Sequence, residues 1–150
     1  MNITPPYLLF IGDANDPLSI KMARSAADWC PERCVGELTL PGCSVSTGLT
    51  SMSIAQAANL GAKSLVLGFA NSGGTLAPEW IPAILEALEA GMDIVSGLHD
   101  KLTDIEAIVT KAKLLNRQLT DIRHPSEKYR TGIARTRRHC QRNGCFTISI

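Results

Sequence analysis

Aromatic side chains are scarce in this sequence. Only seven occur among 150 residues, and Ala, Leu and Ile supply most of an apolar content of 45%. Such a composition predicts an aliphatic core. No apolar run approaches the roughly 20 residues of a membrane-spanning helix, so no membrane partner is expected. The opening MNITPPYLLFIG has no basic n-region, and its apolar run is too short for a signal peptide. These absences predict a cytoplasmic location. The five cysteines, at 30, 34, 43, 140 and 145, are odd in number, which argues against a disulfide framework. Cys30-x3-Cys34 and His139-Cys140-x4-Cys145 miss the common zinc spacings, so no metal site is expected and the thiols read as buried or incidental. Nucleotide fingerprints are also missing. Gly12-Asp13-Ala14-Asn15 is not G-x-G-x-x-G, and no G-x-x-x-x-G-K-[ST] loop occurs. Neither a nucleophile elbow nor a Ser-His-Asp order is present. Ordinary dehydrogenase and NTPase readings lose support.

The chain is long enough for one domain with a proper core. Its net charge of +1 conceals an asymmetry. Residues 1–127 carry all 14 acidic side chains against nine basic ones, whereas residues 128–150 carry six basic and none acidic. The division predicts a domain over 1–127 and a basic, poorly ordered tail over 128–150. That tail has one aromatic, Tyr129, and no helical periodicity, so nucleic acid is not an expected partner despite its cations.

Along the chain, short apolar runs alternate with helical stripes. Tyr7–Ile11 reads as a strand ending at Gly12-Asp13. Asp16-Pro17 then offers a helix cap and a proline at the first helical position, with the helix reaching Trp29. Cys34–Leu38 is a second strand. The Ser-, Thr- and Gly-rich segment 43–52 is expected to be exposed. Ser53-x-x-Gln56 has the form of a capping box, and Gly61 suits a helix C-terminus. A third strand begins at Ser64 and runs through Leu65, Val66 and Leu67. Beyond the Asn71–Gly74 turn, a helix near Pro78 carries Ile81, Ile84, Leu85 and Leu88 on one stripe, and Gly91 closes it. Asp93–Ser96 is a fourth strand. Thr103-x-x-Glu106 forms a second capping-box pattern before Ile105, Ile108, Val109 and Ala112, and Leu119–Ile122 is a fifth strand. This alternation predicts an α/β fold: a Rossmann-like three-layer sandwich with a five-stranded parallel sheet and helices on both faces. Right-handed crossovers leave the orders 2-1-3-4-5 and 3-2-1-4-5. The polar glycine turns after strands one, three and four favour the first.

In such a sheet, ligands sit beyond the carboxyl ends of the strands. The residues emerging there include Gly12, Asp13, Asn71, Ser72, Gly73, Gly74, Gly97 and His99, with His124 after the last strand. The glycine pair permits positive φ, so successive N–H groups can form an anion-binding concavity; the same turn can equally be a tight connection without a ligand. Asp13 can bind an amine or hydroxyl, or cap the following helix. His99 and His124 are the candidate general bases, since imidazole titrates near neutrality, and each can instead hydrogen-bond a loop carbonyl.

YLLFIGDANDPLSIK, CVGELTLPGC, LVLGFANSGG, PEWIPAILEALEAGMDIVSGLHDKL and DIRHP, in that order, resemble the N-terminal domain of the D-glutamate N-acetyltransferase-like family over residues 5–125. The resemblance implies a Rossmann-like domain joined to a C-terminal P-loop domain. It also implies acetyl transfer from acetyl-CoA to the amino group of D-glutamate, in D-amino-acid metabolism. After Lys128 the sequence departs from the family pattern, reading RTGIARTRRHCQRNGCFTISI as a truncated linker remnant would. The expectation is therefore an N-terminal domain without catalytic activity of its own and with no cofactor in this chain. Its expected partner is a C-terminal P-loop domain or a second copy. The competing expectation is a non-catalytic module that binds a small anionic ligand or a partner domain.

Overall fold

The computed structural model describes residues 3–124, so the basic segment 128–150 lies outside the described residues. Five strands, β1 (Tyr7–Gly12), β2 (Cys34–Thr39), β3 (Ser64–Leu67), β4 (Asp93–Ser96) and β5 (Leu119–Asp121), form one sheet in the order β2-β1-β3-β4-β5. Every pairing is parallel. The four α-helices are α1 (Lys21–Trp29), α2 (Ile54–Asn59), α3 (Ile81–Glu89) and α4 (Glu106–Leu114). Right-handed crossovers in this order put α1 on one face and α2, α3 and α4 on the other. Accordingly α3 packs against both α2 and α4. The Rossmann-like three-layer sandwich expected from the sequence is present, with the first of the two candidate strand orders.

The central strands are apolar because both faces are covered. Leu8, Leu9, Phe10 and Ile11 of β1 are all fully buried, as are Leu65 and Leu67 of β3. On α3 the buried stripe is Ala83, Ile84, Ala87 and Leu88. Burying Ile84 and Leu88 there contributes about 1.5–3 kcal/mol each. No helix of the described residues is long and apolar enough to cross a membrane.

Helix ends follow local chemistry where no tertiary partner competes. Ser53 and Gln56 form the expected reciprocal capping box at the start of α2. At its end, Gly61 N–H bonds Ala58 O and Ala62 N–H bonds Ala57 O, which is the Schellman arrangement. Gly91 closes α3 in the same way, and Asn116 closes α4 at φ 54°.

Two helix starts differ from the sequence expectation. Asp16 does accept from Ser19, through the backbone N at 3.2 Å and the Oγ at 3.3 Å, but this closes only a turn. The helix proper begins at Lys21. In a continuous helix Ser19 O would accept from Ala23 N. Instead Ser19 O accepts from Ala70 N at 2.7 Å and Ala23 N donates to Gly68 O at 2.9 Å, so the strand extension claims both groups. The second case is Thr103-x-x-Glu106, which does not form a capping box. Asp121 Oδ1 takes the Leu102 N–H at 3.1 Å, at the start of a 3₁₀ turn over Leu102–Asp104 that Ile105 N–H closes onto Leu102 O. Ile105 is then extended, and α4 starts at Glu106 with no side-chain cap.

Half of the 43–52 segment is exposed and Thr47 within it is buried, because the segment is tied to the sheet by Glu37. This carboxylate is 3% exposed in the middle of β2. It accepts from Ser46 Oγ at 2.7 Å, Thr47 N at 2.7 Å and Thr47 Oγ1. Three strong acceptor contacts offset the desolvation of a buried charge. The same segment then runs beside β2, where Glu37 N bonds Thr50 O and Met52 N bonds Glu37 O, each at 2.9 Å. The otherwise open edge of the sheet is covered.

Candidate functional site

The order β2-β1-β3-β4-β5 reverses direction at β1 and β3, and a crevice opens there beyond the strand ends. In this protein an aromatic cluster fills it. Phe10 of β1, Phe69 just after β3, and Trp80 of the 3₁₀ turn Pro78–Trp80 stack edge to face, with ring centroids 5.7 Å apart for Phe10–Phe69 and 4.1 Å for Phe69–Trp80. Three of the few aromatic residues are thus spent on one spot. Gly12, at φ +57°, lies beneath them: a Cβ there would sit 3.4 Å from Trp80 Nε1 and 3.5 Å from Phe69. Asp13 accepts from the Trp80 indole N–H at 3.2 Å. The Asp13 carboxylate therefore anchors this plug rather than capping the next helix.

The remaining candidates form a second group over β3, β4 and the end of β5. Asn71 organises the glycine turn. Its Oδ1 accepts from Thr75 N at 3.0 Å, and its carbonyl accepts from Gly74 N at 3.0 Å. The turn is bound in turn to the loop after β4. Gly74 O accepts from His99 N at 2.8 Å and from Asp100 N at 3.3 Å, while Asp100 Oδ2 accepts from Leu76 N at 2.9 Å. Gly74 has φ +64°, and a Cβ there would overlap the His99 imidazole. Glycine is required both by the backbone and by the close approach.

The end of β5 completes this group. Arg123 Nε donates to Gly97 O at 2.6 Å, and His124 Nε2 lies 2.9 Å from His99 O. A carbonyl only accepts, so Nε2 must carry the proton. In neutral imidazole that leaves Nδ1 with a free lone pair. His99 and His124 are both exposed, which leaves them accessible to a solute. Ser72 and Gly73 are exposed and make no backbone hydrogen bond through their N–H groups among the described residues, so two adjacent donors are left uncommitted.

The structure thus sorts the sequence candidates into two sets. Gly12 and Asp13 belong with the aromatic plug. Asn71, Ser72, Gly73, Gly74, Gly97, His99 and His124 belong together one strand away. Sequence reading missed Trp80 as the partner of Asp13, and it missed Asp100 and Arg123 as the residues that hold the two loops. An indole and a carboxylate 67 positions apart carry no local signal. Arg123 sits directly beside His124 at a strand end and could have been read from topology.

Comparison with known proteins agrees with the fold. The chain is 63% identical over 132 residues to a D-glutamate N-acetyltransferase of Pseudoalteromonas sp, a match covering 88% of this chain and 40% of that protein. It is 44% identical over 140 residues to a D-glutamate N-acetyltransferase of Tritonibacter scottomollicae, covering 92% of this chain and 42% of that protein. The chain therefore spans about two fifths of the length of these curated relatives. The crystal structure of a DUF1611 family protein from Anabaena variabilis superposes with a TM-score of 0.63 at 21% identity, over 83% of this chain and 39% of that one. At that identity the likeness shows the fold. Residues 35–125 match the family described as "Domain of unknown function (DUF1611_N) Rossmann-like domain", and the chain belongs to that family.

Proposed function

We propose that this domain supplies the amino-acid side of an N-acetyltransferase site for D-glutamate, completed by a second region that holds acetyl-CoA. The observation that carries the reading is the 63% identity to a D-glutamate N-acetyltransferase, confined to 40% of that protein's length. Acetyl transfer needs a neutral amine, a base for its proton and donors for the carbonyl oxygen as charge builds there. His124 Nδ1 suits the base. The amine nitrogen would attack the thioester carbon, the C–S bond would break, and the amine proton would pass through His124 to the departing thiolate. The N–H groups of Ser72 and Gly73 suit a carboxylate of the substrate.

Among the described residues no group suits the pyrophosphate of CoA. Two N–H groups of the Asn71–Gly74 turn region, those of Gly74 and Thr75, are already used within it. The usual switch-point crevice is filled by Phe10, Phe69 and Trp80. Acetyl-CoA is therefore assigned to the other region, a P-loop partner, and the isolated chain is inactive in this reading.

A second reading, a non-catalytic module for a small anion, is favoured by the same exposed pair of N–H groups. Titration of the isolated chain followed by amide resonances separates the two. D-glutamate should shift Ser72, Gly73, His99 and His124, and acetyl-CoA should not. Shifts with inorganic phosphate and none with D-glutamate would favour the module. Shifts with acetyl-CoA at these residues would overturn the division of labour.

A further inference from the structure

Cys30 and Cys34 are placed together at the opposite, amino-terminal edge of the sheet. Cys30 ends α1, Cys34 begins β2, and one 3₁₀ turn over Pro31–Arg33 joins them. That turn is closed by Arg33 N–H to Cys30 O at 3.0 Å and by Cys34 N–H to Pro31 O. Both sulfurs converge on one acceptor: Cys30 Sγ donates to Ala26 O at 3.2 Å and Cys34 Sγ at 3.9 Å. Both are half-buried, so a small reagent can reach them. Cys43, the third thiol among the described residues, is separate and donates to Val45 O at 3.2 Å.

We propose that Cys30 and Cys34 form a reversible redox pair that closes to an intramolecular disulfide in exchange with a small disulfide such as glutathione disulfide. One cysteine thiolate attacks the reagent, giving a mixed disulfide and one equivalent of reduced thiol. The second cysteine then attacks its neighbour's sulfur and displaces the other equivalent. Two protein thiols are oxidised by two electrons, and one glutathione disulfide is reduced to two glutathiones. Burial and the neighbouring Cys30 sulfur push the Cys34 thiol up from its ordinary 9.0 to about 11, which disfavours Cys34 as the attacking thiolate. The first attack therefore falls to Cys30, and Cys34 resolves it. The pair tethers the end of α1 to the start of β2 on the edge away from His124, so closure leaves the candidate site in place.

The test is oxidation of the full chain across a series of glutathione redox buffers, quenched by alkylation and mapped by mass spectrometry. Digestion after Arg33 separates the two cysteines onto different peptides, and digestion after Glu37 separates Cys34 from Cys43. The expected result is paired loss of the Cys30 and Cys34 thiols with their peptides linked, at a glutathione disulfide concentration that leaves Cys43 free. Cys34→Ser should instead accumulate a glutathione adduct at Cys30. Adducts on both cysteines of the unaltered chain without a link would overturn the proposal. So would linkage of either one to Cys43, Cys140, Cys145 or a second chain.

Discussion

The imidazole of His124 donates to the main-chain carbonyl of His99 at 2.9 Å, joining the end of β5 to the loop after β4. One ring nitrogen is thereby committed to structure and the other is left for chemistry. His124→Gln keeps a donor near the Nε2 position and removes the base. The variant is best made in a chimera in which residues 1–124 replace the matching part of the Pseudoalteromonas relative. Acetyl transfer should fall by about 10²–10⁴-fold while the melting temperature barely moves. Unchanged turnover would remove His124 from the mechanism.

Gly74 should be far less tolerant than Gly73, its neighbour in the same turn. Both have positive φ, but a Cβ on Gly73 meets only Thr75 Cγ2 at 3.8 Å, whereas one on Gly74 runs into His99. Gly73→Ala should cost about 1–2 kcal/mol from the backbone alone. Gly74→Ala should cost about 1–3 kcal/mol more, because the His99 side chain, met from its ring back to its Cβ, must move together with its loop. Urea unfolding of the two variants measures the difference, and equal costs would contradict the described contact.

Glu37→Ala removes three acceptor contacts at once and leaves Thr47 with unpaired donors. A loss of about 3 kcal/mol is expected, with new protease cleavage inside residues 43–52. A variant as stable and as resistant as the original would show that the loop is held by something else.

Cys34 gives a pH dependence of known sign. Its folded value, about 11, lies above the ordinary 9.0. Between those two values the unfolded chain loses the thiol proton and the native chain keeps it. The contribution is therefore complete below pH 9 and is lost as pH rises toward 11. In reductant, the stability of the original chain should fall more steeply over that window than that of Cys34→Ser. Parallel curves would contradict it.

The sheet was legible in the sequence because buried parallel strands are short apolar runs, and Leu8–Ile11, Leu65–Leu67 and Ile94–Val95 have no other use. Helix ends were legible where the cap is local, as at Ser53, Gly61 and Gly91. They were misplaced at Asp16 and Thr103 because distant groups, Gly68, Ala70 and Asp121, compete for the same N–H and C=O groups. Strand order put Asn71–Gly74, Gly97–His99 and His124 on one edge. It did not reveal that Trp80 would plug the neighbouring crevice and take Asp13 with it. Glu37 left one faint signal, a carboxylate inside an apolar strand followed by a run of Ser and Thr.

The central claim is that this domain supplies one side of an acetyltransferase site and needs the remainder of its relatives to work. The direct measurement is D-glutamate-dependent release of CoA from acetyl-CoA by the isolated chain and by the residue 1–124 chimera. The account predicts no turnover above background for the isolated chain and turnover for the chimera within about tenfold of the Pseudoalteromonas enzyme, a difference of about 1.4 kcal/mol in the barrier. Turnover by the isolated chain, or a folded chimera that binds acetyl-CoA but transfers nothing to D-glutamate, would contradict it.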